Sequence, residues 1–337
     1  MQTLNYEELD SWWYTVPGAR RFTGEIMDAV NKNCAVAAHL PQEDESGFIQ
    51  ILTEKIQRKF ISLTVEAFDF DGAGDIEDFV DNLTRQFAPN FRRDFTKDSP
   101  FEDLAQQNSL AGYAIIIRLA KKVNWLAAAV TDFNRNIIGE GGVLIFVTTE
   151  ENPPPNITRL SDFLTPYDIQ FFAFNLLENA RLTSQQKLYT ATLAAKLSKQ
   201  SALMAKNLAK TELYTLGFDF VKSVLPQFDE KIFNRAVWEC QTQFLLPILE
   251  NLRSQLIEKN FLQLKRILPV ADEFGRILEE PYDMELRHLH HYGGSRQIFQ
   301  YGDWENLELA YNARNDLSHL KILELSPLEK IFNLEDF

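Results

Sequence analysis

Through its first 180 residues the chain alternates short apolar runs with longer amphipathic stretches, and beyond them its apolar spacing is almost continuously helical. Residues 33–38 form a short apolar run that ends before Pro41, which predicts a buried strand. Over 47–60 the apolar residues Phe48, Ile49, Leu52, Ile56 and Phe60 recur at helical spacing, and the β-branched, alternating segment 61–68 predicts a second strand. A helix over about 75–87 follows, then a strand at 113–117, a helix over 119–134 and a strand at 143–147 introduced by Gly141 and Gly142. Past the loop Pro153, Pro154, Pro155 come a short helix and a last strand at 169–174. Strands alternating with helices imply a parallel sheet with helices on both faces.

From Thr183 onward, Leu193, Leu197, Met204 and Leu208 share one helical face, and Lys196, Lys199, Lys206 and Lys210 share roughly the opposite one. Such a stripe reads either as a solvated face or as a basic surface for RNA phosphates or for the acidic N-terminal region. A long helix is expected from about 228 through Trp238 and Phe244, kinked or divided by Pro247. Two more are expected over 261–278 and 303–323, separated by a segment that holds His288, His290 and His291. The predicted fold class is therefore α/β plus all-α. An α/β domain spans 1–180, a helical connector with a lysine face 181–226, and a helical domain 227–337.

Composition narrows the classes. A chain of 337 residues with 45% hydrophobic and 24% charged side chains is neither disordered nor collagen-like. Its longest apolar runs fall far short of the ~20 residues needed to span a bilayer. The first residues have neither the basic start nor the apolar stretch of a signal peptide. Two cysteines, Cys34 and Cys240, are too few for a disulfide scaffold or a zinc ribbon and point to the reducing cytoplasm. A net charge of −14 argues against broad coating of nucleic acid, but the charge is uneven. Residues 1–180 carry 15 basic and 27 acidic side chains, 181–230 carry 7 and 4, and 231–337 carry 12 and 17. Any contact with polyanions is therefore expected to be local, with few phosphate contacts and a shallow salt dependence.

The strand and helix pattern of residues 12–180, with a penultimate strand running into Thr148, Thr149 and Glu150, resembles the core of P-loop ATPases of the AAA and STAND type. That chemistry needs a Gly-rich loop with Lys and Ser/Thr directly after the first strand, so that backbone N–H groups and a cation hold the phosphates. Here the loop from His39 to Gly47 lacks a Gly-Lys pair and carries Glu43, Asp44 and Glu45. The strand that would end in a metal-binding Asp ends in Arg118. The resemblance thus implies a degenerate P-loop-like domain without the ATPase site. A second echo, of a calcium-binding loop, runs from Asp69 to Val80, but Ala73 and Val80 replace two ligands, and a turn feeding the next helix is the better reading.

The most informative residues are Arg314, Asn315 and His319, spaced Arg-Asn-x-x-x-His near the end of a helix whose apolar side carries Trp304, Leu307, Ala310 and Tyr311. RNA cleaved without metal uses its own 2′-hydroxyl as the nucleophile. A histidine can move the proton, an arginine fork matches phosphate oxygens, and an amide can orient either. Positions i and i+5 lie about 140° apart on a regular helix, so Arg314 and His319 do not share a face. The motif and its place in the last helices resemble the signature of HEPN domains, helical bundles found in many RNA-cleaving toxins and defence proteins. That resemblance implies a metal-independent endoribonuclease with no cofactor. It also implies a homodimer through the C-terminal domain in which two copies of the motif face one cleft, and a regulatory protein or ligand on the acidic N-terminal domain. The plainer alternative pairs Arg314 with Asp316 or Glu308 and leaves His319 as a helix cap. His288 and His291 have the spacing of a metal pair, but Gly293 and Gly294 suggest a helix end capped by exposed histidines, which can also stack on RNA bases. The competing function is a catalytically silent scaffold or sensor.

Overall fold

A computed structural model of the chain describes residues 4–72, 74–137, 142–150, 152–154 and 156–336. Ala73, Gly141 and Pro155 lie outside the described residues. The chain forms two compact units: Met1–Leu176 with Ser198–Ala209, and Leu177–Leu197 with Lys210–Phe337. The expected boundary near 180 falls close to the first of these divisions, while the expected connector 181–226 is shared between the two units.

The first unit is built on a five-stranded parallel sheet: β1 (Val36–His39), β2 (Thr64–Phe70), β3 (Tyr113–Leu119), β4 (Val143–Thr148) and β5 (Thr158–Arg159), in the spatial order β2-β3-β4-β1-β5. The central strands are apolar on both faces because both are covered, and Ile115 to Ile117 and Val143 to Val147 are fully buried. Leu144 and Phe146 face a cluster that holds Phe70, Phe79, Phe101 and Phe133. There Phe70 meets Phe79 edge to face, with ring centroids 5.0 Å apart. Trp12, Trp13, Phe22 and Phe48 are also fully buried, and the helix Pro17–Asn31 packs on β1, β4 and β5. The loop that echoes a calcium site is a turn: Asp75 caps the helix Ile76–Phe87 by accepting from the N–H groups of Glu77 and Asp78.

Two expectations are corrected. Residues 169–174 are not a strand but lie in the helix Pro166–Leu176. Ile169, Phe172 and Ala173, at i, i+3 and i+4, are its buried face, and Asp168 anchors its first turn by accepting from the N–H and hydroxyl of Thr165 and from the N–H of Gly18. The lysine stripe is not continuous either. The helix Ser184–Leu197 stops, Lys199 and Gln200 adopt left-handed φ values of 49° and 68°, and a separate helix, Ala202–Leu208, begins. Lys196 instead pairs with Glu239 at 2.8 Å and Lys206 with Glu8.

The helix Ala202–Leu208 is held by Asp44. Its carboxylate is 3% exposed and accepts from the N–H groups of Ala202 and Leu203 and from the Ser201 hydroxyl. Burial outweighs these three hydrogen bonds and raises the Asp44 pKa from 3.8 to about 6. Between these values the folded chain holds a proton that the unfolded chain has lost. Stability relative to Asp44→Asn is therefore expected to rise as pH falls from about 6 towards 4, by on the order of 1–3 kcal/mol. Urea denaturation of both proteins across that range checks this, and parallel pH curves would refute it.

In the second unit the helix Glu230–Lys259 runs through Pro247 undivided, so of the two expected outcomes, a kink or a division, the division does not occur. Buried Leu245, Ile248 and Leu249 flank the proline, and packing against the helices Ser184–Leu197, Tyr301–Ser318 and Leu325–Phe332 holds the segment together. The helix expected over 261–278 ends at Ile267, and Pro269 leads into a hairpin, β6 (Val270–Ala271) and β7 (Ile277–Leu278). Its turn is closed by Asp272, whose Oδ1 accepts from the N–H groups of Phe274 and Arg276, with Gly275 at a φ of +79°. Among the described residues no helix is long and apolar enough to cross a membrane.

Candidate functional site

The helix Tyr301–Ser318 buries Leu307, Ala310, Ala313 and Leu317 and turns Arg314, Asn315 and His319 outward to different degrees. Two clamps fix its C-terminal end. Trp238 Nε1 donates to the Leu317 carbonyl at 2.8 Å. Gln241 donates to the Leu323 carbonyl and accepts its N–H, at 2.9 and 2.7 Å. His319 is the exposed C-cap and donates its backbone N–H to the carbonyls of Asn315 and Asp316.

Because the helix stays regular through Ser318, Arg314 points away from His319, as the 140° offset requires, while Asn315, four residues before His319, lies on the same side as it. Arg314, with 44% of its side chain exposed, lines a cleft of about 390 Å³ together with Arg253, Arg276, Tyr282, Asp283 and Glu285. Its nearest carboxylate is that of Glu285, at 3.9 Å, and neither Asp316 nor Glu308; Asp316 pairs with Lys321 at 3.4 Å. Asn315 lines a different cleft, of about 480 Å³, with Asp272, Arg287, His288, His290 and Tyr311. His319 lines neither.

Of the three histidines expected to be exposed, only His291 is. His288 is buried, and its Nδ1 accepts the Glu285 N–H at 3.1 Å. The proton of the neutral ring must then sit on Nε2, which is buried without a hydrogen-bond partner. Burial, and then the neighbouring Arg287, lower the pKa of His288 and keep it neutral. His290 stacks on Tyr311, at 4.2 Å and 11°, and on Trp304, at 4.9 Å and 25°. Gly293 and Gly294 stand at the end of the helical turn Leu289–Gly293, with Gly294 as its C-cap, and both are closely packed: a Cβ there would lie 2.1 Å from the Phe299 ring and 2.5 Å from that of Trp304. Among the described residues no group of three or more His, Cys, Asp or Glu side chains is placed to hold a metal ion.

The sequence pattern did not single out Asp272, Arg253, Arg276 and Arg287, which a hairpin and two helical segments bring to the motif. The spacing Asp272-x-x-Gly275 is a turn signal that could have split the segment 261–278.

In the first unit the loop after β1 carries no phosphate cradle. Asp44 points to the helix Ala202–Leu208, and Glu45 pairs with Arg118 at 2.9 Å, with Asp69 3.7 Å from the same guanidinium. At the carboxyl ends of β1 and β4, where the strand order reverses and open α/β sheets bind ligands, His39, Thr149, Ser161, Lys199 and Gln200 rim a small cleft of about 240 Å³. Burial lowers the pKa of His39, whose Nε2 meets the Glu150 carbonyl at 2.8 Å. Lys210, the last of the four lysines, is exposed at the start of the helix Thr211–Leu216. No protein-family model matches the chain, and no curated protein is significantly similar to it.

Proposed function

We propose that the chain is a metal-independent endoribonuclease of the HEPN type, acting in the cytoplasm as part of a bacterial defence or toxin-like system. The observation that supports this reading is that Arg314, Asn315 and His319 all lie on the last turn and cap of one helix, with Arg314 and Asn315 each lining a cleft and His319 exposed to solvent. The RNA 2′-oxygen attacks the adjacent phosphorus, forming one O–P bond while the bond to the 5′-oxygen breaks. His319 moves the proton between these oxygens, Arg314 holds the charged phosphate oxygens, and Asn315 orients the phosphate or the imidazole. Since Arg314 diverges from His319 within one chain, a complete site draws on two copies of the motif in a homodimer. The first unit, with its parallel sheet and a loop that holds acids where phosphate would sit, acts as a degenerate P-loop-like regulatory domain. A second reading, a silent scaffold or sensor for a partner protein or nucleotide, rests on that unit's acidity and on the switch-point cleft beside His39.

The test is incubation of the purified chain with varied RNAs in EDTA, alongside sedimentation over a range of concentrations. Chelator-resistant cleavage by a dimer is expected. Failure to cleave any RNA would sink the enzyme reading, and a strict monomer at high concentration would sink the shared site.

A further inference from the structure

The cleft beside Asn315 has chemistry that neither a phosphate nor a metal explains. Its acids Asp272 and Glu273 outnumber the single guanidinium of Arg287, and His288 is locked neutral, so a phosphate is not favoured there. The arginine-rich cleft is the other one, holding Arg253, Arg276 and Arg314.

At the first cleft, Asp272 has 4% of its side chain exposed and commits Oδ1 to two backbone N–H groups. Its Oδ2 stands 4.0 Å from Nε2 of His288 and 4.0 Å from Nη2 of Arg287, too far for a hydrogen bond to either. His288 is 6% exposed, and its Nε2–H has no partner. An unmatched donor and an unmatched acceptor thus lie side by side in a cleft of about 480 Å³. Leaving the buried Nε2–H of His288 unmatched is unfavourable, and a ligand that accepts from it while donating to Asp272 Oδ2 would relieve that. The same cleft is lined by Tyr311 and His290, members of the Trp304, His290, Tyr311 stack, which offers a flat aromatic surface.

We infer that this cleft binds a nucleobase, which extends the ring stack on Tyr311 and bridges His288 Nε2–H and Asp272 Oδ2 with an acceptor and a donor on adjacent atoms of its edge. Asn315, at the rim, places that base next to the phosphate held by Arg314. The assignment rests on the ribonuclease reading for its RNA source, but the pocket's chemistry is that of a base on a strand or on a free nucleotide.

Calorimetric titration of the full chain with the four ribonucleoside 5′-monophosphates, and with uncleavable 2′-O-methyl tetranucleotides, tests it. One base per chain is expected to bind with a preference among the four. Tetranucleotides binding more tightly than mononucleotides identify a strand as the source, and the reverse identifies a free nucleotide. Tyr311→Ala is expected to weaken binding by at least about tenfold. Asp272→Asn keeps the Oδ1 acceptor that closes the hairpin turn and converts Oδ2 into a donor, so it is expected to change the order of preference while leaving the melting temperature near that of the native chain. No binding by any nucleotide or tetranucleotide, or binding that ignores both substitutions, overturns the inference. Base binding without cleavage removes the ribonuclease reading and leaves the pocket standing; cleavage without base binding does the reverse.

Discussion

With RNA in chelator, His319→Ala is expected to lower the cleavage rate by about 10²–10⁴-fold, the contribution of a positioned general acid or base. The fold should not notice the change. His319 is an exposed C-cap whose recorded role in the helix is a backbone N–H that alanine retains. Surface substitutions of this kind usually alter stability by within about 0.5 kcal/mol. Arg314→Ala is expected to lose activity comparably, since its guanidinium is 44% exposed and its only neighbouring carboxylate among the described residues, that of Glu285, lies 3.9 Å away. Arg314→Lys should recover part of the rate, because it keeps the charge but not the planar fork that matches two phosphate oxygens. Single-turnover cleavage on gels, with thermal melts of each variant, separates chemistry from folding. Variants that cleave at the native rate would place the active centre elsewhere or nowhere in the chain.

The largest stability effect is expected at Gly142, immediately before β4. A Cβ there would lie 2.2 Å from the Leu110 carbonyl oxygen, 2.5 Å from its Cβ and 2.7 Å from its carbonyl carbon. Backbone on the receiving side cannot swing away as a side-chain tip can, and every residue of β4 is buried between neighbours in the middle of the sheet. Overpacking of this kind costs roughly 3 kcal/mol or more, a large share of the 5–15 kcal/mol typical of a whole domain. Gly302→Ala is the control: nothing lies within 4 Å of a Cβ there, the position is inside a helix, and a gain of up to about 1 kcal/mol is expected. Urea midpoints for the two variants should move in opposite directions, and equal midpoints would contradict the packing argument.

What could be read from the sequence follows from how local each cause is. The runs Ile115 to Ile117 and Val143 to Val147 announce themselves because a strand buried on both faces needs continuous β-branched and aromatic residues. Segment 169–174 fails because Ile169, Phe171 and Ala173 alternate while Ile169, Phe172 and Ala173 also fit a helix. The deciding contact, Asp168 to the N–H of Gly18, comes from 150 residues away. Likewise, Leu193 to Leu208 keeps perfect helical spacing across a break that the left-handed pair Lys199 and Gln200 imposes. The Arg-Asn-x-x-x-His motif lies within one helix and was visible. The approach of Asp272 to His288, with Oδ2 4.0 Å from Nε2, depends on how a hairpin folds back, and no periodicity encodes it.

The chain leaves the first unit after Leu176, returns for Ser198–Ala209 and leaves again. During synthesis the sheet unit therefore cannot finish folding when residue 176 emerges from the ribosome; it must wait for Ala209 to clear the exit tunnel. At roughly 5–20 residues per second that is an interval of a few seconds. Through it Asp44, destined to cap the helix Ala202–Leu208, has no helix to cap. The segment 177–197 of the other unit is meanwhile already outside and waiting for partners still to be translated. Completion of the first unit is thus ordered ahead of the motif helix by the route of the polypeptide, so that a nascent chain carries its first unit whole before Arg314, Asn315 and His319 exist.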